Sequence, residues 1–138
     1  MIKTIGGTIV YVSNQNKAVE FYTQKLGFEV KSDMQFGNNL RWIEVAPKES
    51  NSTLSLVEPN RELLKTDEEI NRAKMKIGTD TDVWFYSNDI EPTYEELKDK
   101  GVDLTKPERQ DWGGTMSILK DQDGNSFGLI STYFPPKE

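Results

Sequence analysis

No histidine and no cysteine occur among the 138 residues, so any chemistry falls to carboxylates, hydroxyls, amines and aromatic rings. The missing thiols remove disulfides, thiolate nucleophiles and cysteine-ligated zinc or iron–sulfur sites. The missing imidazoles remove the usual base at neutral pH, the Ser-His and Cys-His nucleophile pairs, and the commonest ligand for zinc, copper and iron. One stretch, DQDGNSFGLI at residues 121–130, looks at first like a calcium loop. An EF-hand loop needs its glycine at the sixth position and a bidentate glutamate at the twelfth. Gly124 is only the fourth residue from Asp121. The stretch therefore predicts a hairpin turn joining TMSILK to SFGLIS, with Asp-Gly supplying the positive-φ positions. GGT, at Gly6 to Thr8 and again at Gly113 to Thr115, lacks the spacing of a dinucleotide or P-loop fingerprint and reads as backbone.

The elements that must position these groups come as a repeat. SNQNKAVEFYTQKLGF, from Ser13 to Phe28, and SNDIEPTYEELKDKGV, from Ser87 to Val102, keep Ser-Asn and a glycine at identical spacing. Each follows a strand-like run rich in β-branched and aromatic residues, TIVYV in the first copy and DVWFY in the second. Asn14 is a cap for the first helix, with Ala18, Phe21, Tyr22 and Leu26 at helical spacing and Gly27 in the left-handed stop position. In the second, Asn88 or Asp89 caps, Pro92 lies in the first turn, Tyr94 and Leu97 point inward, and Gly101 stops the helix. Three extended segments follow each helix: FEVKSDMQF, LRWIEVAP and STLSLVE, then VDLTKPERQ, TMSILKD and SFGLIST. Each module reads β-α-β-β-β.

A charged linker, residues 59–78, separates the copies; a helix starts at Thr66 with Glu69 completing a capping box, and its thin apolar content marks it as surface. The expected organisation is one domain over residues 1–138, made of module 1–58, linker 59–78 and module 79–134, with the tail FPPKE frayed. Glu96 and Lys100 form an i,i+4 pair on solvated helix surface. A net charge of −6 opposes phosphate-backbone binding, so nucleic acid is not an expected partner. No apolar run approaches the ~20 residues of a spanning helix, and the N-terminus lacks the features of a cleavable signal peptide, which together predict no membrane and a cytoplasmic location.

The run V-x-N … A-x-x-FY-x-x-x-LGF, the strand RWIEVAP, the helix YEELKDKGV and the hairpin DQDGN together resemble the vicinal-oxygen-chelate superfamily of glyoxalases, bleomycin-resistance proteins and extradiol dioxygenases. The resemblance covers nearly the whole chain. It implies an α+β fold of two βαβββ modules whose mixed sheets form a U around a cleft, with helices on the outer face and completion as a homodimer. Metal-dependent members carry ligands early in the first strand and on the last strand of each module. Those positions fall on Gly7, Ser55, Asp82 (or Thr81, if the register differs by one) and Gly128. Three of the four lack a strong donor, and one carboxylate does not hold a catalytic divalent ion against water. No metal and no cofactor are therefore expected.

If Gly7 faces that cleft, strand alternation sends Ile9 and Tyr11 the same way and packs Val10 and Val12 under the helices. The same rule turns Thr53, Ser55 and Val57, Trp42 and Glu44, and Asp82, Trp84 and Tyr86 inward, with Val83 and Phe85 toward the helix. Trp112, on the glycine-rich QDWGGT loop, stands at the rim. The expected ligand site is thus Tyr11, Trp42, Glu44, Ser55, Asp82, Trp84, Tyr86 and Trp112, an aromatic wall with a few carboxylates suited to a cationic or amphipathic aromatic small molecule. This resembles the metal-free, drug-sequestering members, which implies no catalytic residue. The alternative is a lyase or dioxygenase of the same superfamily, metal-dependent or using Glu44, Asp82 or Tyr11 as acid or base.

Overall fold

In a computed structural model, residues 1–131 are described, and the chain divides between Thr79 and Asp80 into two units. The expected frayed tail, residues 134–138, lies outside the described residues. The first unit runs β1 (Gly7–Tyr11), α1 (Gln15–Glu20), β2 (Glu29–Phe36), β3 (Leu40–Ala46), β4 (Thr53–Val57) and α2 (Asp67–Lys76). The second runs β5 (Asp80–Tyr86), α3 (Ile90–Asp99), β6 (Asp103–Leu104), β7 (Glu108–Arg109), β8 (Thr115–Lys120) and β9 (Ser126–Ser131). The fold is α+β; the first unit carries the β-α-β-β-β order read from the repeat, and the second carries it with the strand after the helix split into β6 and β7.

The first sheet is ordered β1-β4-β3-β2, with β1 parallel to β4 and the other pairs antiparallel. The parallel pair requires a crossover, which α1 supplies. Asn14 caps α1 by accepting from the Lys17 amide at 2.9 Å. The helix then widens into a π-helical turn over Phe21–Lys25, where the Leu26 amide donates to the Phe21 carbonyl at 3.3 Å. Apolar spacing gives no warning of this widening, because it shifts the hydrogen-bond ladder rather than the buried face. Gly27, at φ 74°, ends the helix as expected. Buried Gln15 fastens α1 to the sheet: its side-chain amide donates to the carbonyls of Arg41 at 2.7 Å and Leu56 at 2.9 Å. Its backbone N–H donates to the Glu58 carboxylate at 2.8 Å. Under the helix lie Val10, Val12, Ile43, Val45, Leu54 and Leu56, closed by the edge-to-face pair Phe21–Tyr22.

The linker holds more structure than its composition suggests. Thr66 caps α2 by accepting from the Glu69 amide, and its hydroxyl donates to the Glu69 carboxylate, a side-chain variant of the expected capping box. Ala73 is buried and α2 packs on β1. One small residue suffices for that contact, so a thin apolar count underestimated the docking.

The second sheet is ordered β5-β9-β8-β6, with β7 also paired to β8. Its core stacks Phe85 on Phe127, ring centroids 4.8 Å apart, under Ile90, Leu97 and Val102. Asp89 is the N-cap residue of α3 but makes no side-chain capping bond, and Gly101 closes it at φ 81°. The expected single strand VDLTKPERQ is broken into β6 and β7; Pro107, between them, has no amide to give the ladder. The β8–β9 hairpin is as read, with one correction. Only Gly124 takes a positive φ, 84°. Its amide donates to the Asp121 carbonyl and the Asp121 amide to the Asn125 carbonyl, a three-residue loop ending in a left-handed glycine rather than a two-residue turn. Asp121 is spent on this turn, its carboxylate accepting from the amides of Asp123 and Asn125 and from the Asn125 side chain.

Candidate functional site

Strand pairing fixes which side chains share a face. In the first unit Gly7, Ile9 and Tyr11 stand opposite Thr53, Ser55 and Val57, while Ser55 pairs with Glu44, which pairs with Ser32; Met34 pairs with Trp42. All occupy the face away from α1, as alternation required. Near the middle of that face the Trp42 indole N–H donates to the Glu44 carboxylate at 2.9 Å, both side chains half-buried. One Glu44 oxygen is thereby held by the indole. Ser55 lies between Ile9 and Glu44 but is only 4 % exposed, forming floor rather than accessible wall. Tyr11 stands at the edge, where it lines with Leu64, Glu69, Arg72, Ala73 and Lys76 an open depression of about 150 Å³ beside α2. Arg72 and Lys76 were missed from the sequence because the linker was read as surface; their positions one turn apart, either side of Ala73, were the available signal.

In the second unit two rows cross the sheet on the face away from α3. Trp84 pairs with Gly128, which pairs with Ile118; Tyr86 pairs with Ile130, which pairs with Met116. Trp84 is 55 % and Tyr86 68 % exposed, unusual for aromatic side chains on strands. Gly128 lies between Trp84 and Ile118: a Cβ there would stand 3.2 Å from the Met116 methyl and 3.2 Å from the Trp84 Cβ. Its lack of a side chain keeps the patch flat. At the start of β5 the pairing slips between Asp80 and Trp84, and Asp82 sits in this bulge at φ 59°. Thr81 turns its hydroxyl to the Ser126 carbonyl at 2.7 Å, so Asp82 is the exposed member of that pair. Trp112, 53 % exposed, lies on the β7–β8 loop with its ring over Gly114, where any Cβ would overlap it.

The positions where the resemblance would put metal ligands do not fit a divalent ion. Gly7 and Gly128 bring no donor, Ser55 brings a neutral hydroxyl, and Asp82 alone is a carboxylate. A Cβ at Gly7 would run into the Thr53 carbonyl, so no side-chain donor has room there. Among the described residues no three acidic side chains gather as a candidate metal cluster.

Among the described residues, the one clear electrostatic perturbation lies on the other face of the first sheet. Asp33 accepts two hydrogen bonds from the Arg41 guanidinium, at 3.1 and 3.0 Å, which hold its carboxyl below the usual range. Arg41 also donates to Asn16 at 2.6 Å. This cluster ties β2 and β3 to the start of α1 and is structural.

Among known proteins, the chain is 38 % identical to the uncharacterized protein YetH of Bacillus subtilis (strain 168), over 94 % of this chain and 98 % of that one. A member of the glyoxalase/bleomycin resistance protein/dioxygenase superfamily from Sphaerobacter thermophilus DSM 20745 superposes with a TM-score of 0.83 at 31 % identity, covering 95 % of this chain and 98 % of the other. TnmS3, an antibiotic binding protein from Streptomyces sp. CB03234, superposes with a TM-score of 0.76 at 29 % identity, covering 94 % and 96 %. The family model for the Glyoxalase/Bleomycin resistance protein/Dioxygenase superfamily matches residues 4–129, and with that span, the paired βαβββ units and these relatives, the chain belongs to that superfamily.

Proposed function

We propose that this protein is a non-catalytic, metal-free binder of an amphipathic or cationic aromatic small molecule. The observation that carries the reading is the flat apolar patch Trp84–Gly128–Ile118 with Tyr86, aromatic surface left exposed around a position where the resemblance puts a metal ligand. Rings of this kind contribute ~0.5–2 kcal/mol per stacked or cationic contact. In the first unit, taken by itself, the Trp42–Glu44 pair presents a carboxylate on an otherwise mostly neutral face, complementary to an ammonium or N–H donor. The antibiotic-binding relative supports this ligand class, and the donor-poor positions 7, 55, 82 and 128 support the absence of metal. Homodimerisation and a cytoplasmic location complete the reading; light scattering checks the first.

The test is tryptophan fluorescence against a panel of aromatic and cationic drugs in the presence of chelator. At least one should quench saturably, and Trp84→Ala with Tyr86→Ala should weaken that binding at least tenfold while leaving the fold intact. A panel without any saturable quencher, or a quencher indifferent to both substitutions, would sink the proposal.

A further inference from the structure

We infer that the depression between α2 and β1 is an anion subsite, taking a carboxylate carried on a small apolar body. Glu69, Arg72, Ala73 and Lys76 fall at i, i+3, i+4 and i+7, one stripe of α2, and this stripe lines the depression with Leu64 and Tyr11. A helix that docks for stability alone presents leucine or isoleucine along such a stripe. Here Ala73, 3 % exposed, is the buried residue of α2, Ile70 one turn earlier is only half-buried, and cations flank Ala73.

Compensation of the helix dipole accounts for basic residues late in α2, Lys74 as well as Lys76. It does not account for Arg72 and Lys76 sharing the stripe beside Tyr11. In a chain of net charge −6, a wall with two cations against one carboxylate reverses the local field. That carboxylate is already engaged, since Glu69 accepts from the Thr66 hydroxyl at 3.1 Å. Arg72 meets Glu68 at 3.4 Å, but both side chains are mostly exposed and such pairs are weak, so an incoming carboxylate can replace Glu68.

The size sets the ligand class. A volume of about 150 Å³ is room for several water molecules. It holds a carboxylate on a single ring, with the ring against Leu64, Ala73 and Tyr11 and the charge between Arg72 and Lys76. The inference does not depend on the aromatic patch of the second unit.

The experiment is a titration of the ¹⁵N-labelled full chain with benzoate, with benzylamine and inorganic phosphate as controls. Benzoate should give saturable shifts at the amides of Tyr11, Leu64 and residues 72–76, benzylamine none, and phosphate weaker shifts at Arg72 and Lys76 only. Arg72→Gln with Lys76→Gln should weaken benzoate at least tenfold, and Arg72→Lys with Lys76→Arg should retain it. Shifts absent from this region, equal shifts with benzylamine, or unchanged affinity in the charge-removed variant would each overturn the inference.

Discussion

Gly7 and Gly128 share one residue type, but space constrains them differently. A Cβ at Gly7 meets the Thr53 backbone, which is held in the β1–β4 ladder and cannot yield. Gly7→Ala should therefore lower stability by about 1–3 kcal/mol in urea unfolding, as overpacking does. At Gly128 the nearest atoms include the flexible Met116 methyl, so Gly128→Ala should change the same unfolding free energy far less while impairing ligand binding. Equal destabilisation by both would refute this difference. Asp82 takes the left-handed conformation, at φ 59°, found at no other non-glycine among the described residues. Asp82→Gly should leave the melting temperature unchanged or raise it, whereas Asp82→Val should lower it, because a β-branched residue pays most in that region.

At the scale of elements, the Asp33–Arg41 pair links β2 to β3 and reaches α1 through Asn16. Arg41 holds the Asp33 carboxyl below its ordinary value, so the unfolded chain takes up the proton first as pH falls. The stabilisation is complete above the ordinary carboxylate range and is lost as pH drops through the folded value. Arg41→Met should flatten the acid limb of a stability–pH profile by a fraction of a kcal/mol, small because the pair is solvent-exposed; an unchanged limb would contradict the assignment. The capping box of α2 gives a second check. Thr66→Ala should cost ~1 kcal/mol and, by loosening α2, weaken benzoate binding beside Tyr11. Helix starts, glycine stops and strand alternation were legible in the sequence because each is local: Asn14, Gly27, Gly101, and the alternation of Ile9 with Val10, all behave as their residue types dictate. The bulge at Asp82 and the burial of Ala73 were not, since each depends on a partner strand or helix that spacing does not name; the π-helical turn leaves the buried face unmoved, and the break at Pro107, local in cause, was a signal the reading of one strand passed over.

For the molecule as a whole, family membership and function separate at a few positions. The repeated βαβββ order and the match over residues 4–129 give the superfamily. Within it, chemistry is decided by what occupies a handful of strand positions. The shared face of Trp42 and Glu44 was legible from alternation alone, but their hydrogen bond, the seclusion of Ser55 and the cations beside Tyr11 needed coordinates. None of the described helices is long and apolar enough to cross a membrane. Binding without metal makes a claim about the intact protein: a ligand that binds only the folded state raises its stability by about 2.7 kcal/mol at a hundredfold excess over Kd. The most direct test is a thermal-shift screen of aromatic and cationic ligands, run in parallel with chelator and with nickel, zinc, manganese or iron. The account predicts at least one ligand whose stabilisation is the same in both conditions and no shift from metal alone; stabilisation by metal alone, or ligand shifts that vanish with chelator, would contradict it.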